Sequence, residues 1–195
     1  MRTSRNAIHE VIELGLVPLM KRHGFKKSAL HFARRRGSLG HYLNVQVSQW
    51  NRGTAGQFYL NAGVMFDDMC LLCAKEPPTL PKYDNCQFMV RLERLNPGLP
   101  ATINVDETTN IEALADWLAR TVEATFVLPL DTMNSTRDFA RTSWPSAIPW
   151  SFNAVLQYVL GNTEEARRLV QLEADTFADR GSTFESVANS LHLKF

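Results

Sequence analysis

Apolar residues Ile8, Val11, Ile12, Leu16, Leu19 and Met20 recur at intervals of three and four, the spacing that lines one face of an α-helix. They predict a first helix over about residues 6–23. Pro18 falls inside it and, lacking the N–H of a helical bond, is expected to kink or split it. Gly24 is placed as a left-handed stop, with Phe25 folding back as its apolar contact. The rhythm then shortens to two. "SALHFARRR" predicts a strand reaching a turn at "GSLG", and "HYLNVQVSQW" alternates with Leu43, Val45 and Val47 on one side. After "NRGTAG", "QFYLNAGVMF" sets Phe58, Leu60, Ala62, Val64 and Phe66 on one face. "CQFMVRLERL" aligns Cys86, Phe88, Val90 and Leu92 as a fourth strand that ends in the turn residues "NPG". Connections this short favour antiparallel hairpins.

From Asn110, a plausible cap, the helical period returns with Ile111, Leu114, Leu118, Val122 and Phe126. Further helices are expected behind Ser135, over about 150–160 and 163–180, and behind a Ser182-x-x-Glu185 box. The order predicts an α+β fold: an N-terminal helix, an antiparallel sheet of about four strands, then packed helices and a C-terminal helical tail. The division is an α+β domain over 1–142 and a helical extension over 143–195 packed on it as one structural unit.

The alternation that builds an apolar face also builds a second one. Tyr42, Asn44, Gln46, Ser48 and Trp50 share it on one strand, Tyr59, Asn61 and Met65 on the next, and Gln87, Met89 and Arg91 on the fourth. Aromatic, Met and Arg side chains are what interface centres collect. Tyr42, Gln46, Trp50, Tyr59, Asn61 and Arg91 are therefore the candidate partner-binding residues. The competing reading is that the C-terminal helices cover this face and the amides pair across strands.

Charge sharpens the picture. Residues 1–52 carry ten Lys/Arg against two Asp/Glu, a net +8, and the rest carry eleven against eighteen, a net −7. The halves either attract each other within the fold or face different partners. "LMKRHGFKKSALHFARRR" supplies a candidate basic patch of Lys21, Lys26, Lys27, Arg34, Arg35 and Arg36. A helix end, a loop and both faces of a strand do not aim these six in one direction, as a nucleic-acid groove requires.

Three cysteines argue against a disulfide framework, and the charged N-terminus argues against a secretory leader, so a cytoplasmic protein is expected. No apolar run approaches a membrane span. Cys70-Leu-Leu-Cys73 has zinc-site spacing, but its intervening leucines and the lack of a second pair favour buried thiols, so no metal or cofactor is expected. Nucleophile-elbow, Walker, dinucleotide and zincin motifs are all missing, and no catalytic residue is assigned.

The runs "LVPLMKRHGFKKSALHFARRR", "VQVSQWNRGTAGQFYLNAGVMF" and "CQFMVRLERL" resemble the bacterial family known as domain of unknown function 4304 over about residues 15–130. The resemblance rests on Lys21, Gly24, Phe25, Lys26, Lys27, Phe32, Trp50, Asn51, Cys86, Arg91 and Leu92. It implies the same α+β layout and brings no activity. The tail "AVLQYVLGNTEEARRLVQLEA" is similar to half a tetratricopeptide unit, too little to form an array. The function expected is that of a non-catalytic bacterial binding protein with a protein partner, immunity-, antitoxin- or adaptor-like. The alternatives are a nucleic-acid-associated module using the basic patch, and an enzyme whose site assembles from distant residues.

Overall fold

In the computed structural model, which describes residues 3–148 and 150–195, the chain opens on a helix capped by Thr3, whose hydroxyl accepts from the Asn6 N–H at 3.3 Å. This helix, α1, covers 4–22, and Pro18 does not split it. A π turn over Ile12–Leu16, closed by the Val17 N–H on the Ile12 carbonyl, absorbs the ring. The wider turn spares the proline both its missing donor and the clash of its ring with the preceding turn. The long helix over 111–131 repeats the device: a π turn over Glu123–Val127 closes with the Leu128 N–H on the Glu123 carbonyl just before Pro129. At the end of α1, Gly24 adopts φ 77°. The Phe25 N–H reaches the Met20 carbonyl at 2.9 Å and the Gly24 N–H reaches Lys21 at 3.1 Å, the two bonds of a Schellman stop.

Strands β1 (Lys26–Ser28), β2 (His31–Arg36), β3 (Leu39–Val47), β4 (Gly56–Phe66) and β5 (Phe88–Arg91) form an antiparallel sheet in chain order. A sixth strand, β6 (Ile103–Val105), pairs with the first residues of β4, on the side where β5 pairs further along. Alternation anticipates about four strands because β1 and β6, at three residues each, are too short to show a period. The strand predicted over "SALHFARRR" begins only at His31, and its Ser28 ends the separate strand β1. The chain reverses at Ala29 and Leu30, with Ala29 at φ 52°, and no Gly or Asn announces the turn. The fourth predicted strand is cut short at Leu92 by a 3₁₀ turn over Leu92–Arg94.

The remaining helices are α2 (Asp67–Leu72), α3 (111–131), α4 (Thr136–Ala140), α5 (Trp150–Val159), α6 (Thr163–Thr176) and α7 (Phe184–Ser190). The cap of α7 is Thr183, boxed with Ser186, one residue later than the Ser182 box suggests. Among the described residues no helix is long and apolar enough to cross a membrane.

The inner residues of β3 to β5, such as Leu43, Phe58, Val64 and Phe88, are buried beneath α1 and α3. The two helices cross closely at Gly15, where a Cβ would stand 2.3 Å from the Ala115 carbonyl oxygen. At the far end Phe66, Phe88, Phe139, Trp144 and Phe152 pack ring against ring, Phe66 edge-on to Phe139 at 4.8 Å. Helix α5 thus gives Phe152 and Leu156 to the main core, while its Ala154 joins Val170, Ala174, Val187 and Leu193 in a smaller one. The tail is therefore anchored on the inner side of the sheet, away from the polar face.

Candidate functional site

The outer face divides in two. Over one half lies the loop 73–87. Gly40 and Gly63 make room for it: a Cβ at Gly40 would stand 3.1 Å from Pro81, and one at Gly63 would stand 3.0 Å from the Cys86 sulfur. Tyr42 is buried under this loop, and burial, helped by the Cys86 thiol, pushes its pKa up to about 12. The phenol therefore stays a donor, and it donates to His31 Nδ1, which also accepts from the Asn44 amide at 3.1 Å. With Nδ1 accepting twice, the His31 proton resides on Nε2.

The other half is partly exposed. Asn61 is buried, and its amide nitrogen donates to Asn44 Oδ1 at 3.0 Å and to Gln46 Oε1 at 3.1 Å. The Arg91 guanidinium lies 4.0 Å over the Tyr59 ring. Gln46 is exposed, Tyr59 and Arg91 half-buried. Of the six candidate partner-binding residues, Gln46, Tyr59, Asn61 and Arg91 share this half. Tyr42 belongs to the covered half. Trp50 stands on the β3–β4 connection, 71% exposed. The adjoining Asn51 fixes that connection, its side chain donating to the Gln57 carbonyl at 2.9 Å and accepting from the Gln57 N–H at 2.8 Å.

Where the loop stands off the sheet edge it leaves a cleft of about 560 Å³. Its lining from the sheet includes Lys26, Ser28, His31 and Tyr42, and its lining from the loop includes Pro81, Lys82 and Tyr83. Alternation could not find the loop residues, since they belong to no periodic element; only the run "LPKYD" hints at them.

The candidate basic patch is dispersed. Arg34 is buried: its Nε donates to His41 Nδ1 at 3.0 Å, its Nη1 to the His23 carbonyl at 2.8 Å, and its Nη2 lies 2.7 Å from Asp131 Oδ1, an ion pair not aligned as a hydrogen bond. Arg35 grips Asp67 with both Nη atoms, and Arg36 reaches Asp131 at 3.2 Å. Lys27 pairs with Glu13 at 2.7 Å. Lys21 and Lys26 are exposed and without an ion-pair partner among the described residues. The basic first quarter of the chain meets the acids of 67–131 inside the molecule: Arg22 reaches Glu123 at 3.0 Å, and His23 lies between Glu123 and Asp131. Hydrogen bonds from His23 and Arg22 hold the Glu123 pKa below its ordinary value. Burial raises that of Asp131, but the Arg34 guanidinium paired with it, together with the charges of His23 and Arg36, outweighs burial and leaves the net shift downward. Burial and the neighbouring Arg34 charge drive His41 down to about 3.

The cysteines are free. Gln87 donates to the buried Cys70 sulfur at 3.3 Å, Cys86 donates to the Lys82 carbonyl, and burial with the Asp84 charge raises the Cys86 pKa to about 12.

A family model described as a domain of unknown function, DUF4304, matches residues 16–150. The chain belongs to this family. No curated protein and no solved structure matches it. The DUF4304 match runs past the resemblance over 15–130 to the start of α5. The positions that carry the likeness now divide by task. Gly24 and Phe25 stop α1, Phe32 and Leu92 fill the core, and Asn51 clamps a hairpin. Lys26 and Trp50 are exposed, and neither their packing nor an ion pair gives them a structural task.

Proposed function

We propose that this DUF4304 chain is a cytoplasmic bacterial binding protein, non-catalytic and immunity- or adaptor-like, that engages a protein partner through the outer face of its sheet. The observation that carries the reading is the partly exposed half of that face, where Gln46, Tyr59 and Arg91 stand beside the buried Asn61, Asn61 holding Gln46 and Arg91 stacking on Tyr59. Side chains ordered before binding lose less entropy on association, and aromatic and Arg groups are the residues interfaces use as anchors. The nucleic-acid alternative has less support, because Lys27 and the three arginines of the basic patch are spent on internal acids. Three free cysteines are in keeping with a reducing compartment.

The test is a photo-crosslinking amino acid at Gln46, with Arg120 on the helix side as control, expressed in the source cytoplasm. Capture of one defined protein from Gln46 alone, lost on Tyr59→Ala or Arg91→Ala, is the expected result. Equal capture from both positions, or nucleic acid as the main adduct, would refute the reading.

A further inference from the structure

The geometry points to the cleft between β1 and the loop 80–84 as the docking site for a short, extended, acidic segment of the partner protein; the inference rests on the partner-binding reading above. Lys26 from β1 and Lys82 from the loop line its two walls, neither with an ion-pair partner among the described residues; Lys27, paired with Glu13, and the carboxylate of Asp84 complete the charged lining, which stays positive on balance. Two cations on opposite walls suit carboxylates spaced along a chain better than one compact anion. Between them Leu80, Pro81 and the Tyr42 ring form an apolar stretch fit for one aliphatic or aromatic side chain.

The backbone adds a direction. The Val45 N–H bonds the Leu30 carbonyl, so Phe32 also turns its amide group toward β3 while His31 and Ala33 turn theirs toward β1. Lys27, opposite Phe32, therefore faces its own N–H and C=O outward along the open edge of the sheet. An extended segment can pair there, and alternate side chains of such a segment fall into the cleft. The site also continues into the proposed interface. The His31 Nε2–H has no partner among the described residues, and Tyr42, His31, Asn44, Asn61 and Gln46 form one hydrogen-bonded chain leading away from the cleft.

The test uses random heptapeptides displayed on phage, selected on the full chain and counter-selected on the double variant Lys26→Glu/Lys82→Glu, with affinities read by fluorescence polarisation. Both lysines are exposed, so the variant should keep the wild-type urea midpoint. The expected consensus places Asp or Glu on both sides of an apolar residue. It binds wild type about tenfold or more tightly than the variant, and less tightly as salt rises. A neutral or basic consensus, affinity indifferent to the double reversal, no enrichment at all, or displacement by a single-stranded oligonucleotide at matching concentration would each overturn the proposal. Crosslinking from Gln46 separates the two levels. A partner captured equally by wild type and double variant ends the cleft proposal and keeps the interface, whereas loss of capture from wild type ends the interface itself.

Discussion

His41 allows a quantitative check on the buried polar network. Arg34 keeps its proton, so His41 Nδ1 must accept from Arg34 Nε, and the neutral ring carries its hydrogen on Nε2, which has no hydrogen-bond partner among the described residues. A second proton would place a positive charge beside the guanidinium in a residue with no exposed surface, which is why burial and Arg34 lower the pKa to about 3. The unfolded chain titrates His41 near 6.5. As pH falls below that value the unfolded state takes up a proton that the fold refuses, so stability is lost on acidification and is complete only above the unfolded pKa. From pH 7 to pH 5 the loss comes to about 2 kcal/mol, and because pH 5 lies well above 3 it is set almost wholly by the unfolded value. With an m-value of about 2 kcal/mol/M this is roughly a 1 M fall in the urea midpoint. His41→Asn keeps an acceptor where Nδ1 stands and removes the titration. Urea unfolding of both proteins at the two pH values should show wild type losing about 2 kcal/mol more than the variant. Equal losses would mean that His41 is charged in the fold and that the assignment of its tautomer is wrong.

Three further outcomes follow from the packing and the charges. Gly15→Ala gains helix propensity but drives a methyl into the Ala115 carbonyl, and thermal unfolding should show a net loss of about 1–3 kcal/mol. Asp131→Asn strands the buried Arg34 charge and should cost about 3 kcal/mol in urea. In wild type the Asp131 contribution is present above the ordinary carboxylate range and is lost as pH falls through its depressed folded value, so the stabilities of the two proteins should converge in acid. Trp50→Ala should leave the unfolding free energy within about 0.5 kcal/mol of wild type, since the ring is 71% exposed, while weakening capture of a partner from Gln46. A large destabilisation by Trp50→Ala would assign the ring to the fold.

Period and turn chemistry made much of this architecture legible. The apolar sides of β3 and β4 are read directly from Leu43–Val47 and Phe58–Phe66, and Asn110 and Ser135 do cap helices. Two kinds of feature escaped. Local ones are too short or too unusual to carry a signal: the three-residue β1 and β6, the left-handed Ala29, and π turns that let Pro18 and Pro129 stay inside helices. Non-local ones depend on which segment lies over which. The second face of the sheet was visible as Tyr42, Gln46, Tyr59, Asn61 and Arg91, yet nothing in the alternation says that Pro81 and Cys86 cover one half and leave the other open. Gly40 and Gly63 were the available clue. A glycine in a strand often marks the close approach of another part of the chain, and both lie under that loop.

The basic stretch sorts by residue type rather than by position. Arg34, Arg35 and Arg36 all pair with acids from later in the chain, Arg34 buried, Arg35 half-buried and Arg36 exposed, while Lys21 and Lys26 stay in water. The chemistry of the two cations explains the division. Guanidinium is weakly hydrated and forked, so it can be desolvated against a carboxylate and a carbonyl at once, as Arg34 is, or grip both oxygens of one carboxylate, as Arg35 does with Asp67. Ammonium is strongly hydrated and is more costly to bury. Part of the +8 of the first 52 residues is thus met within the same fold, by Asp67, Glu123 and Asp131. In the cleft, what is offered to a partner is a pair of lysines from separate segments, Lys26 and Lys82, brought together only by the loop that follows α2. Affinity for acidic partners would then depend on the placement of that loop rather than on the total count of basic residues.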